Sequence, residues 1–453
     1  MNRTEPLAVA VISLGCAKNL VDSEHMVGVM LAEGIVLAAS PEQADVILVN
    51  TCSFIRDAQD ESIDAIREAC EMKKAGPCRA VVVAGCLPQR YQEGAREALR
   101  EVDAFIGVDE LDRIGDIVRR IGRGERDILE VSRKSSRLFD PLQPRVLLTD
   151  GPHAYIKIAE GCNHPCGFCA IPRIRGRYRS RPIDRIVAES EHLLASGIKE
   201  LDLISQDVTS YGIDLKDGSD LPKLLRALGR IGGRYWLRLL YGYPAHVTDG
   251  LLAAMGEVES MCRYLDVPVQ HSHPDVLTAM GRSDTIEAVA SLPERARRAL
   301  PGIALRTTCL VGYPGETDAQ FEHLLAYIAA AEFDHVGVFA FSREEQTRAF
   351  HLPHQVDAQA AAARRERLML AQQEIVRRKT VARVGERADV LIAREAEGAS
   401  GVWVGRTARQ APEVDGETFV SGLPAGDQSG IFVRARLVGP EDVYDLRAEA
   451  MGG

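Results

Sequence analysis

Nine consecutive residues, Gly161-Cys162-Asn163-His164-Pro165-Cys166-Gly167-Phe168-Cys169, concentrate the reactive side chains of this chain, with three cysteines at Cys-x3-Cys-x2-Cys spacing. Thiolates are soft ligands suited to iron-sulfur clusters, zinc and copper(I). Pro165 and Gly167 disfavour a helix here, so the sulfurs can converge from one tight loop. A 4Fe-4S cluster normally takes four thiolates. A loop that supplies three leaves one iron open to a small molecule. The same three thiolates with His164 also satisfy the donor set of a zinc knuckle.

A second set of cysteines is dispersed. The apolar runs Ala8 to Leu14, Asp45 to Val49 and Ala80 to Ala84 are short, rich in Val, Ile and Ala, and do not alternate. Strands buried on both faces of a parallel sheet read this way. Helical patterns separate them, at Ser23 to Glu33 and Ala58 to Lys73, giving an α/β domain. Each run ends near a cysteine, at Gly15-Cys16, Thr51-Cys52 and Gly85-Cys86. Parallel strands share one carboxyl edge, where such sheets bind ligands. Cys16, Cys52 and Cys86 are therefore expected to converge as a second triad. Cys70 and Cys78 lack that placement and read as buried structural residues.

The elements that must carry these sites follow in order. Residues 5–122 read as the first domain. From 123 to 147 the chain is charged and patternless, with Pro141 and Pro144, and reads as a linker. Residues 148–378 alternate strands and helices again. Strands are expected at Tyr155 to Ala159, Leu201 to Ile204, Trp236 to Leu240, Tyr264 to Val269, Ala304 to Val311 and His335 to Phe341. Helices are expected between them, as at Ile183 to Ser196 and Ala319 to Ala331. Six βα units predict a partial (βα)6 barrel with its site at the carboxyl ends of the strands. The cysteine loop follows the first strand. Ser205-Gln206-Asp207 follows the second and offers acceptors for a ligand's amino group. Gln270-His271 follows the fourth, and Gly312-Tyr313-Pro314-Gly315-Glu316 follows the fifth, where glycine permits close approach of a nucleoside. The basic run Arg173, Arg175, Arg177, Arg179 and Arg181 reads as a solvated segment or as a grip on substrate or linker. Asp357 to Lys379 reads as one connecting helix. Residues 379–448 read as a small five-stranded, all-β barrel of OB type.

Across its 453 residues the chain carries 46% hydrophobic and 26% charged residues, an ordinary globular balance with no apolar run able to span a bilayer. Leu7 to Leu14 is short and preceded only by Arg3, so it reads as a strand rather than an export signal. Ten cysteines without such a signal point to reduced thiols in the cytoplasm. A net charge of -10 does not favour nucleic acid as a partner. From Thr380 onward there are eight basic and twelve acidic residues, the wrong sign for a grip on phosphate. Acidic positions such as Glu413, Asp415 and Glu417 are expected to face a basic protein, unless Arg406, Arg409, Arg434 and Arg436 form a local phosphate patch.

Taken together the motifs resemble the methylthiotransferase branch of the radical S-adenosylmethionine (SAM) superfamily along essentially the whole chain. The segment Gly15-Cys16-Ala17-Lys18-Asn19-Leu20-Val21-Asp22-Ser23-Glu24 is similar to members that modify ribosomal protein uS12. The tRNA-modifying relatives usually carry Gln-Met-Asn after that cysteine. Gly405-Arg406-Thr407 followed by Ala411-Pro412-Glu413-Val414-Asp415-Gly416 also resembles the protein-modifying members. The resemblance implies an N-terminal three-cysteine domain, a radical SAM barrel and a C-terminal TRAM barrel. It implies a 4Fe-4S cluster on Cys162, Cys166 and Cys169 that cleaves SAM, and a second 4Fe-4S cluster on Cys16, Cys52 and Cys86 that handles sulfur. With a SAM site at this rim, Ser205, Gln206, Asp207, Gly312 and Glu316 are the residues expected to contact it. One SAM would supply the methyl group and a second a 5'-deoxyadenosyl radical. The product would be a methylthio group on the β-carbon of an aspartate of uS12, with an external electron donor and sulfur donor. The tRNA adenosine methylthiotransferases are the alternative. An unactivated C–H bond carries no acidic proton, so no general base is expected. Two departures from the resemblance stand out: Gln346 occupies a position where relatives usually have Gly, and His271-Ser272-His273-Pro274 is less typical.

Overall fold

The computed structural model describes residues 7–138, 144–149, 151–424 and 426–451. Its first unit is a six-stranded, all-parallel sheet in the order Val36–Leu37, Ala8–Ser13, Val46–Thr51, Ala80–Gly85, Ala104–Ile106, Ile128–Glu130. The two central strands, Val46–Thr51 and Ala80–Gly85, are buried at every position. That explains their unbroken apolar runs, since helices cover both faces. Met26, Val27 and Met30 of the helix Ala17–Ala32 pack on one face, and Ile66, Ala69 and Cys70 of the helix Arg56–Ala75 on the other.

The sheet does not end where the sequence pattern does. Ile128–Glu130 pairs in parallel with Ala104–Ile106 and lies inside the span read as linker. At three residues each, these last two strands of the sheet are too short to leave a periodic signal. The following segment is held as well. Ser135 Oγ donates to Asp109 at 2.6 Å, and the Arg179 guanidinium donates to the Arg137 carbonyl at 2.9 Å. Arg179 thus grips the connecting segment, one of the roles considered for the basic run. Pro141 lies outside the described residues.

The second unit is the partial barrel. Strands His153–Lys157, Glu200–Ile204 and Trp236–Leu239 form one parallel set, and Tyr264–Asp266, Ala304–Val311 and His335–Ala340 the other. A parallel bridge between Leu237 and Met261 joins them. Side chains alternate faces along each strand. Leu201, Leu203, Leu237, Leu239 and Leu305 face the outer helices in one large core. Their alternates, including Tyr155, Glu200, Asp202, Arg238 and Tyr264, are also buried, Arg306 is mostly so, and Arg238 donates to Glu200 at 2.8 Å. The barrel interior is therefore polar and only partly paired, since neither Asp202 carboxylate oxygen has a hydrogen-bond partner among the described residues.

After the helix Ala358–Ala382, strands Arg387–Glu395, Trp403–Thr407, Thr418–Ser421, Phe432–Pro440 and Leu446–Ala450 close into a five-stranded barrel. Its loop docks on the amino ends of the large barrel's strands. Arg406 pairs with Glu200 at 2.6 Å and Arg409 with Asp334 at 2.7 Å. Asp415 accepts from Arg306 and from the Tyr264 hydroxyl, both at 2.7 Å, and its side chain is fully buried. The expectation that Asp415 faces a partner is thus corrected, because it locks two domains together. Glu413 accepts from the Tyr155 hydroxyl at 3.0 Å and keeps a half-exposed side chain.

Gln346 adopts φ +67°, in the left-handed region where glycine is at ease and other residues are strained. Its loop nevertheless does structural work. Glu344 forms an ion pair with Arg90 at 3.0 Å, with both side chains almost wholly buried, and accepts from Gln59 at 2.7 Å. The last barrel strand is thereby clamped to the first domain beside Ser53.

Candidate metal centres

Cys16, Cys52 and Cys86 follow three strands that are neighbours in the sheet. Neighbouring strands lie about 4.8 Å apart, so one edge brings the thiols together. Gly15, at φ +92°, makes the closest approach: a Cβ there would lie 2.7 Å from Cys52 Cβ and 3.2 Å from its Sγ. Cys16 caps the helix Ala17–Ala32, and Cys86 opens the helix Cys86–Tyr91. Free N–H groups at a helix start favour a thiolate. Burial pushes the Cys52 thiol up to about 12, with the charges of Cys86 and Cys16 adding to the shift. Burial also raises Cys86, and Arg175 opposes it. Buried thiols such as Cys52 and Cys86, which resist ionisation on their own, suit a multivalent iron centre, since coordination deprotonates a thiol outright.

The loop triad is built locally. Cys162 N–H donates to the Gly176 carbonyl at 3.1 Å, and Gly167 N–H to the Met280 carbonyl at 2.7 Å, so the loop is tied at both ends. Two donors face the sulfurs: His164 N–H at 3.4 Å from Cys162 Sγ, and the Arg282 guanidinium at 3.6 Å from Cys166 Sγ. Burial raises Cys162 to about 12 and raises Cys169 further, with Cys166 contributing to both. The His164 imidazole points elsewhere. It sits 2.7 Å from Asp207 Oδ2 and stacks on Tyr243 with centroids 3.6 Å apart. That orientation does not match a Cys3His zinc knuckle, whereas an open-iron cluster fits the three cysteines.

The two triads are adjacent. Ala170, next to Cys169, packs with Ile174 directly on Cys86. Arg175 reaches across and donates to Asn19 Oδ1 at 2.5 Å, to Asp22 at 2.7 Å and to Cys86 Sγ at 3.4 Å. Lys157 adds a bond to Asp22 at 2.7 Å. Sequence reasoning placed Arg175 in a basic run. Its burial among carboxylates from two domains has no local signature.

Of the residues expected to contact SAM, most are engaged within the protein. Burial alone would raise Asp207, but donors from His164, His246, Ser210 and Thr209 hold it well below the usual carboxylate range. It anchors the cysteine loop to the second strand. Ser205 Oγ accepts from Asp207 N–H at 3.1 Å. Glu316 accepts from Gly312 N–H at 2.6 Å and from Tyr313 N–H, and pairs with Arg364 at 3.2 Å. Gly312 needs φ +76°, and a Cβ there would lie 2.6 Å from that of Ala361. Gln206 differs: its amide donates to Glu160 at 2.7 Å while its buried Oε1 has no hydrogen-bond partner among the described residues. The Asp266 Oδ1, His271 Nε2 and Arg282 Nε atoms share that condition. Buried polar atoms without partners at a strand rim mark places where a ligand completes the bonding.

Three family profiles tile the chain: "Uncharacterized protein family UPF0004" over residues 8–107, "Radical SAM superfamily" over 156–328 and "TRAM domain" over 384–451. The chain is similar in fold to the radical SAM methyltransferase TsrM from Kitasatospora setae, at TM-score 0.58 and 16% identity, covering 76% of this chain and 74% of that one. It is also similar in fold to the cobalamin-dependent SAM radical enzyme OxsB, at TM-score 0.52 and 12% identity, covering 76% and 55%. Ribosomal protein uS12 methylthiotransferase RimO of Pelotomaculum thermopropionicum is 44% identical over 446 residues, 98% of this chain and 99% of that protein. RimO of Synechococcus sp. strain RCC307 is 45% identical over 446 residues, 98% of this chain and 90% of its own. With two cysteine triads set side by side and near-full-length identity of this order, the chain belongs to the RimO family of radical SAM methylthiotransferases.

Proposed function

We propose that this chain places a methylthio group on the β-carbon of an aspartate of ribosomal protein uS12. The observation that carries the reading is the contact of Ala170 and Ile174 with Cys86, which seats the two triads against each other. Membership of the family implies two 4Fe-4S clusters and SAM. Cys162, Cys166 and Cys169 would hold the cluster that binds SAM, and Cys16, Cys52 and Cys86 the second. When bound, these groups supply reductive SAM cleavage and a sulfur-bearing metal site, with electrons and sulfur from external donors. The protein's own residues do the placing. Arg282 and His164 N–H balance charge on the loop sulfurs, and Gln206 Oε1 and the Gly312 turn offer SAM its polar contacts. Arg175, Lys157 and the Arg90–Glu344 pair hold the two domains in register.

For the choice between protein and tRNA, the terminal barrel supports protein. Arg406 and Arg409 are spent on Glu200 and Asp334 inside the molecule, while Arg434 and Arg436 pair with Asp389 and Glu449. A phosphate grip needs uncommitted cations. Basic ribosomal proteins match the remaining acidic surface, which speeds and orients encounter. No helix among the described residues is long and apolar enough to cross a membrane, and a ribosomal substrate would be met in the cytoplasm. The test is an anaerobic reaction of iron-reconstituted enzyme, SAM and reductant with purified uS12 or small subunits, and separately with tRNA. The expected product is a methylthio mass increment on one uS12 aspartate. An adduct found only on tRNA adenosine rejects the reading.

A further inference from the structure

Lys18 is a buried cation for which the cluster-binding scheme has no task. Its side chain is only 8% exposed, and its ammonium lies over the Tyr241 ring, 2.8 Å from the centroid. The other buried cations around it each hold a carboxylate: Lys157 and Arg175 hold Asp22, and Arg306 holds Asp415. Among the described residues Lys18 Nζ makes no close hydrogen bond or ion pair besides that aromatic contact; burial lowers its pKa to about 8, while the charges of Cys16, Asp266 and Glu160 favour the ammonium and Arg175 opposes it. An aromatic face attracts a cation without neutralising it or occupying its three N–H donors, so the ammonium can still donate to an incoming anion.

The platform is held at a cost. Tyr241 takes φ +70°, a strained backbone for a bulky residue, and its N–H is fixed by Asp266 Oδ2 at 2.9 Å. Such strain persists where the surrounding structure enforces it, and it clusters at ligand sites. The position fits that reading. Lys18 stands two residues after Cys16, and the neighbouring Asn19 side chain meets both Arg175 and Cys86. Tyr241 follows the third barrel strand, Trp236–Leu239, at its carboxyl end. Of the acidic groups nearby, Glu160 is engaged by Arg175 and Gln206, while Asp266 is engaged through Oδ2 by the Tyr241 N–H and its Oδ1 has only Arg306, 3.7 Å away.

We infer that Lys18 holds the side-chain carboxylate of the substrate aspartate between the two cysteine triads and so presents its β-carbon. The inference rests on the uS12 reading above. The reacting carbon is bonded directly to the carboxylate carbon, so one cation at the carboxylate orients the C–H bond to be broken. Asparagine has the same shape without the charge and would be refused, which makes Lys18 a specificity-determining positioning residue.

The test compares uS12 with a uS12 variant carrying Asn at the target position, using iron-loaded holoenzyme, SAM and reductant. Binding and turnover are read separately. Wild-type enzyme should prefer Asp by about 10- to 100-fold in kcat/KM, the range of a charge-assisted bond. Lys18→Met should lower kcat/KM for the Asp substrate toward that for Asn and abolish the preference. Its KM for SAM, its iron content and its substrate-free 5'-deoxyadenosine formation should stay as in wild type. A Lys18→Met enzyme that keeps the Asp preference overturns the proposal. So does a raised KM for SAM with the preference intact, which would move the lysine to the SAM carboxylate. If Lys18→Met fails to load iron, the wild-type comparison still decides, because equal turnover of Asp and Asn substrates overturns the proposal. Failure of wild-type enzyme to modify uS12 at all would instead reject the underlying function.

Discussion

The two cysteine triads are built in opposite ways. Cys162, Cys166 and Cys169 lie within eight residues, on a loop tied to the Gly176 and Met280 backbone. Cys16, Cys52 and Cys86 meet only because three parallel strands are neighbours. The first triad needs its loop, whereas the second needs a folded sheet and, through Arg175, a docked barrel. The loop triad should therefore tolerate loosening between domains, and the dispersed triad should not.

The largest effect expected is at the loop. Cys162→Ala, Cys166→Ala or Cys169→Ala should reduce 5'-deoxyadenosine formation to background, because a cluster that has lost one of three protein thiolates is not retained. Replacing Cys16, Cys52 and Cys86 together with Ala should leave SAM cleavage in place and stop methylthiolation. Iron should fall from about eight to about four per chain, read by iron analysis. Unchanged iron would remove the second cluster from the scheme.

Arg175→Met tests the dependence on docking. It leaves Lys157 as the one cation paired with both Asp22 and Glu160, so the loss should fall below about 3–5 kcal/mol, the cost of a fully uncompensated buried charge. Denaturant unfolding should show that loss, and iron at the dispersed triad should fall before iron at the loop. Equal loss at both sites would break the distinction drawn here.

Asp415→Asn loosens the far end of the barrel instead, at a cost of about 2–3 kcal/mol. Burial raises Asp415, yet His335 and Arg306 outweigh it and hold the carboxyl below its ordinary value. A depressed carboxyl stabilises the fold above the unfolded pKa, about 3.9, and that contribution is lost as pH falls through the folded value. The wild type should therefore lose stability below about pH 4 with a steeper slope than Asp415→Asn. A variant with the same acid slope would show that Asp415 does not carry this linkage.

The smallest effect is at Gln346, whose left-handed backbone costs about 1 kcal/mol. Gln346→Gly should raise stability by roughly 0.5 kcal/mol once the added freedom of the unfolded chain is counted. Calorimetry on the intact protein would detect it, and a decrease would mean the Gln346 side chain holds the loop that carries Glu344.

From the sequence alone came the ligand types, their spacing and the order of elements. Loop thiolates at fixed offsets, apolar runs such as Ala80–Gly85 and the helix Ala358–Ala382 are written in local pattern. Strand-end cysteines became a triad by inference, because a parallel sheet has one carboxyl edge. What local pattern does not encode is pairing across long separations. Asp415 read as surface because an acidic residue in a loop usually is; its partners Arg306 and His335 lie on other strands. Asp207 read as a ligand contact, and no local pattern signals the five neighbouring groups that donate to it or sit against it. Lys18 carried no periodic or motif signal of its own beyond the family resemblance. Only tertiary structure placed it against an aromatic ring with no close ion pair, since burial and contacts are properties of what surrounds a residue.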